Sequence, residues 1–242
     1  MTAHPLNGAF ERAIRAAEHL EEIERLIETF RAAHEDICIA DFDPEAPDQF
    51  RLSIPPIILP ARLSVLVGET CYNGRAALDY LIYALSILDC GGNVPKDKTQ
   101  FPVKFRKDDF ARQCEPGHFI GCLSARHAAM IEGLQPYKGC EWTKALINIS
   151  NPDKHRHLIG IAHEGVGTAT IAAGPTGLER MISSGLRPKL SAHKTDGLEM
   201  HVHFNFALTV ALPDGTPVVE TLKVIQSQIS ETLDAFKPEF ER

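Results

Sequence analysis

Three prolines, Pro55, Pro56 and Pro60, bar regular backbone up to residue 60, because each fixes its own φ and lacks an N–H donor. Beyond them, residues 63–88 run without a proline and are too long and too apolar for a strand. This stretch must be a long helix with much of its circumference buried, and the rest of the chain has to fold around it. Asp89-Cys90-Gly91-Gly92 supplies its stop signal. One feature departs from the apolar pattern: residues 68–81, GETCYNGRAALDYL, place a polar run in the middle of the helix. On a helical projection Glu69, Asn73 and Tyr80 share a side with the small Ala76 and Ala77 between them. Arg75 and Asp79 sit four apart on a neighbouring side.

A second helix-period segment covers residues 6–33, with Phe10, Ile14, Ala17, Leu20, Ile23, Ile27 and Phe30 read as its buried face. Residues 36–43 and 50–54 alternate apolar and polar around a proline-containing turn and read as a β-hairpin inserted between the two helices. After an exposed Gly-, Pro- and Lys-rich loop over 91–104, three short helices are expected near 107–113, 119–134 and 142–149. The apolar runs 158–162 and 168–173, separated by Gly165 and Gly167, read as two strands. Residues 198–212 read as a third, with Met200, Val202, Phe204, Phe206, Leu208 and Val210 on one face. Pro217 opens a last helix whose buried stripe is Leu222, Ile225, Ile229 and Phe236. The expected class is α+β within one domain over residues 1–242. A mainly helical up-and-down bundle with an inserted hairpin fills about 1–156, and a small antiparallel sheet and C-terminal helix fill about 157–242.

Two clusters carry the candidate chemistry. The first is the polar run, in which Arg75 can bind an anionic group such as a phosphate while Glu69, Asn73, Asp79 or Tyr80 orients it. The same residues can instead form a buried polar network that joins helices. The second is NISNPDKHRH over residues 148–157, where Asn151 and Pro152 read as the cap and first turn of a helix. There His155 can carry a proton near neutral pH, with Lys154 or Arg156 stabilising negative charge. A charged helix terminus is the structural alternative.

Taken in this order, the segments Gly68–Leu81, Thr99-Gln-Phe-Pro102, Leu134-Gln-Pro-Tyr137 and Asn151-Pro-Asp-Lys-His-Arg156 resemble a family of uncharacterised bacterial proteins. That family carries N-L-R-[SA]-A-L-D-[HY]-L and N-x-D-K-H-R motifs. Arg75 on a bundle helix is also similar to the arginine of HEPN-type domains, many of which are ribonucleases or nucleotide-binding partners. That resemblance implies Arg75 and His155 as catalytic residues, with Glu69, Asn73, Asp79, Tyr80, Lys154 and Arg156 binding RNA, a nucleotide or a small anionic ligand. Tyr80 stands where the HEPN motif has histidine, and a phenol with a pKa near 10 is a poor base at neutral pH. His155 would therefore have to enter the same site. Gly74 stands where the family usually has Leu, which marks a kink or a close contact.

The six cysteines show no C-x-x-C pair, so reduced, mostly buried thiols and no zinc knuckle are expected. His155-x-His157 and His201-x-His203 share faces, but nothing in the sequence brings the two pairs together, and no metal or cofactor is assigned. The glycines at 165, 167, 174 and 177 lack the spacing of a phosphate loop, and no G-x-S-x-G elbow occurs. A formal charge of −7 argues against a broad basic surface for nucleic acid. The lysines and arginines between Lys96 and Arg112 read as a solvated loop and helix start or as a local basic pocket. With no apolar stretch of spanning length and no secretory signal, a cytoplasmic setting without membrane contact is expected. The two long amphipathic helices suit a homodimer and a bundle core equally.

Overall fold

The long proline-free segment is one helix in the computed structural model, which describes residues 4–33, 39–43, 46–53, 58–91, 99–154, 162–173, 178–184, 189–191, 200–211 and 215–241. Helices α1 (Asn7–Ala32), α2 (Ala61–Cys90), α3 (Lys107–Gln113), α4 (Ala125–Gly133), α5 (Glu141–Lys154) and α6 (Val218–Phe236) account for most of the residues with described side chains. The chain divides into two compact units. The first comprises Met1–Glu24, Ala61–Gly160 and Val218–Arg242, and the second Arg25–Pro60 and Ile161–Pro217. The boundary expected near residue 156 assigns the last helix to the strands, whereas α6 groups with the helices. Its apolar stripe is the reason: Leu222, Ile225, Ile229 and Phe236 are all buried, and Leu233 joins them.

The first unit is a helical bundle built on α2. Leu63, Leu66, Val67, Leu78, Leu81, Ile82 and Leu85 of α2 are buried with Leu146 and Ile149 of α5 and the stripe of α6. α2 packs against α5 and α6, which also pack on each other. Gly74 faces α6 so closely that a Cβ there would lie 2.9 Å from the Ile229 Cδ1 atom. A leucine side chain cannot occupy that space, so Gly74 marks a close helix contact. The α1 face differs from expectation. Its buried positions are Leu6, Ala9, Ala13, Ala16, Leu20, Ile23 and Ile27, while Ile14 is 52% exposed. The steps of three and four are kept, but alanines replace large residues over the first turns and let α1 lie close. At Gly8 a Cβ would sit 2.7 Å from the Tyr80 ring.

Two other helices depart from their expected limits. α4 is shorter than the 119–134 segment because Ser124 caps it, its side chain accepting from the His127 N–H, and Gly121 turns tightly against the Glu115 carbonyl beforehand. α5 runs through Asn151 and Pro152 to Lys154, so that pair ends a helix instead of starting one. A proline within the last turn forfeits a single backbone bond, which the preceding three turns of helix can carry.

In the second unit β1 (Ile39–Asp43) and β2 (Ala46–Ser53) pair antiparallel, and β5 (Lys189–Ser191) joins β2. A separate ladder has β3 (Ala162–Ala173) between β4 (Leu178–Ser184) and β6 (Met200–Ala211). β3 is continuous through Gly165 and Gly167, where two strands were expected. Both glycines have partners on β6, Leu208 and Phe206, so the ladder bridges the weak positions.

Candidate functional site

The polar run of α2 separates into two groups on different sides of the helix. At about 100° per residue, Arg75 and Asp79 lie roughly 80–160° round the axis from Glu69, Asn73 and Tyr80. Glu69, Asn73 and Tyr80 meet α1. Arg12 Nη1 donates to Asn73 Oδ1 at 3.0 Å, and Asn73 Nδ2 donates to the Glu69 carbonyl at 3.0 Å. The Arg12 guanidinium lies 5.8 Å from the centre of the Tyr80 ring, and buried His19 approaches the exposed Glu69 carboxylate at 3.6 Å.

Arg75 and Asp79 turn the other way and grip the backbone of Phe101. Asp79 Oδ1 accepts from the Phe101 N–H at 2.8 Å, Arg75 Nη2 donates to the Phe101 carbonyl, and Arg75 Nε stands 3.6 Å from Asp79 Oδ1. Burial holds the Arg75 guanidinium below its ordinary pKa, with Asp79 opposing the shift. Gln135, fully buried, continues the grip. Its Nε2 donates to the Pro102 and Ile131 carbonyls at 2.9 and 3.0 Å, and its Oε1 accepts from the Lys104 N–H at 2.8 Å. Three of the four sequence segments singled out above therefore converge. The Thr99–Pro102 segment is held by the Arg75–Asp79 pair from one side and by the Gln135 corner from the other. One atom is left over: Arg75 Nη1 is buried and makes no hydrogen bond.

The fourth segment is described only in its backbone up to Lys154, at the end of α5, and His155 and Arg156 lie outside the described residues. The five site residues with described side chains thus form an α1–α2 seam and a backbone clamp instead of a single pocket. The reason is the helix period: six residues separate Glu69 from Arg75, which carries them to different sides.

A second polar cluster escaped the sequence reading. His127 Nδ1 contacts Asp89 Oδ2 at 2.7 Å, and its Nε2 lies 3.5 Å from Glu239 Oε2. Asp89 Oδ2 also accepts from the Ser124 N–H at 2.7 Å, and Arg126 donates to both Glu239 oxygens at 2.9 and 2.7 Å. The order carboxylate, imidazole, carboxylate suits proton relay, but the imidazole nitrogen that would serve a nucleophile faces Glu239. Ser124 Oγ is engaged by the His127 backbone N–H. The cluster acts as a latch between the end of α2, the start of α4 and the C-terminal turn Lys237–Phe240. Its members are too far apart in sequence for local spacing to reveal it.

Beside the latch, Cys90 and Cys122 form a disulfide. This corrects the expectation of reduced thiols for these two residues: the helix stop at Asp89 and the tight turn before Ser124 bring their Cα atoms to 5.8 Å, within bonding reach. Cys71, Cys114 and Cys140 are not disulfide-bonded, and burial raises the pKa of Cys114 and Cys140. Among the described residues no group of His, Cys, Asp and Glu is placed to hold a metal ion, and no helix is long and apolar enough to cross a membrane. Comparison with protein-family models, curated proteins and solved structures gives no match.

Proposed function

We propose that this chain is a non-catalytic binding module, in which the polar run of α2 builds the fold and the exposed side of the same helix recognises a partner. The observation that carries this reading is the engagement of Arg75. Its guanidinium holds the Phe101 carbonyl and faces Asp79, so the group a catalytic reading needs most has a structural task. Tyr80, next in the motif, lies beneath Arg12. The proposal takes the chain as α+β, the bundle completed by a small antiparallel sheet. It takes the setting as cytoplasmic only if Cys90 and Cys122 are thiols in the cell, which alkylation at harvest followed by mass spectrometry decides.

The test is RNA cleavage by nuclease-free preparations of the wild type and Arg75→Ala. The expected result is no cleavage by either protein and a lower melting temperature for the variant. Cleavage that depends on Arg75 overturns the proposal. A second reading, a catalytically degenerate HEPN-like domain related to nucleic acid or nucleotides, is favoured by the buried Nη1 donor of Arg75. A phosphate would satisfy that donor, with Lys154, His155 and Arg156 as further candidates to hold it. Stabilisation of the wild type by ATP or a short RNA, lost in Arg75→Gln, would select this second reading.

A further inference from the structure

Between the side that meets α1 and the side that holds the clamp, α2 carries Val65, Glu69, Tyr72, Ala76, Tyr80, Tyr83 and Ile87, of which Glu69 and Tyr80 also touch α1. Five of these are large apolar or aromatic residues exposed to water: Val65 48%, Tyr72 57%, Tyr80 46%, Tyr83 49% and Ile87 47%. The steps between the seven are 4-3-4 taken twice, an eleven-residue period of about 3.67 residues per turn that keeps the stripe on one side of a straight helix. The row spans about 33 Å and stays within a sector of roughly 80°. Half-exposed side chains of this size present on the order of 500 Å² together, the upper range of what a monomer leaves uncovered.

The order of the stripe points to its occupant. Its spacing is the same outward from Ala76 in both directions: Tyr72 and Tyr80 stand four residues away, Glu69 and Tyr83 seven, Val65 and Ile87 eleven. A two-fold axis at Ala76 would set a second α2 antiparallel to the first, with the small alanines at the crossing. Tyr72 would then face Tyr80 of the other copy, Val65 would face Ile87, and the Tyr83 hydroxyl would donate to Glu69. Two copies would bury on the order of 1,000 Å², the threshold for a specific interface. A lipid surface fits less well, since Glu69 lies within the stripe and the chain is acidic overall.

We propose that this side of α2 is a self-association surface, on which a second copy of the chain docks through a two-fold axis at Ala76. The proposal rests on the binding-module reading above and names its partner.

The experiment is sedimentation of the full chain from about 1 to about 100 μM, for the wild type, Ala76→Glu, Ala76→Lys and an equal mixture of the two variants. The wild type is expected to dimerise in this range. Each variant, with like charges meeting across the axis, should associate at least about tenfold more weakly, and the mixture should recover because position 76 then pairs Glu with Lys. Circular dichroism checks that the variants fold, and Tyr72→Arg, at the most exposed position of the row, replaces them if they do not. A wild type that stays monomeric overturns the proposal. So does a dimer unaffected by the substitutions, or a mixture that fails to recover. The same preparations are assayed for RNA cleavage. Arg75-dependent cleavage defeats the binding-module reading whatever the mass, whereas a monomer without cleavage, including one that binds lipid vesicles or another protein through this row, defeats only self-association.

Discussion

Arg75 shows how far one residue's chemistry depends on its direction. Its type announces an anion site, yet its side chain is directed at a peptide carbonyl, and only Nη1 stays uncommitted. Gly74, its neighbour, has a more testable consequence. Alanine there gains helix propensity of about 1 kcal/mol and needs only the mobile end of Ile229 to shift, so Gly74→Ala should be close to neutral. Gly74→Leu would push α6 away and cost about 2 kcal/mol or more, read from urea unfolding midpoints. At the Leu134–Tyr137 corner, Glu132 accepts from the Tyr137 hydroxyl at 3.0 Å and from Lys138 at 3.3 Å. The Tyr137 hydrogen bond is the leading cause that lowers its pKa. Burial, and then the bond to Glu132, raise that of Tyr137. A carboxylate whose folded pKa is depressed stabilises fully above its unfolded value and loses that contribution as pH falls through the folded one. Glu132→Gln should therefore lower the melting temperature at pH 7, and the difference from wild type should shrink as pH is brought below about 4.

At the scale of the element, the clamp gives the motif segments a physical meaning. Residues 99–104 have no helix or strand to satisfy their backbone, so side chains of Asp79, Arg75 and Gln135 do so. Gln135→Ala would leave the Lys104 N–H and the Pro102 carbonyl without those partners at a cost of about 3 kcal/mol. Hydrogen exchange should show the Lys104 amide losing protection more than the amides of α6. Equal loss throughout would mean that the segment does not open independently. The segments Thr99–Pro102 and Leu134–Tyr137 and the pair Arg75 and Asp79 could be singled out in the sequence. That they form one clamp could not be read there, because the bonds join residues 22 to 33 positions apart.

For the whole molecule, the Cys90–Cys122 disulfide closes a segment of 32 residues that contains the clamped stretch and α3. In the chain-entropy account a loop of this size is worth about 3–4 kcal/mol. Reduction, or the Cys90→Ser/Cys122→Ser pair, should lower the unfolding free energy by up to about that amount without abolishing the fold, since Asp89 still holds the Ser124 N–H and His127. A reduced protein as stable as the oxidised one would show that the noncovalent latch alone determines the geometry. The sequence by itself determined the helical frame. Apolar periodicity sets α1, α2 and the stripe of α6, and prolines and glycines set most of the ends, because these effects act between residues at most one or two turns apart. The rotation of α1 onto its alanines, the division of the polar run between a seam and a clamp, the latch and the disulfide were decided only by the tertiary structure. Each depends on which side of a helix meets another element, and that is settled by the packing of distant segments.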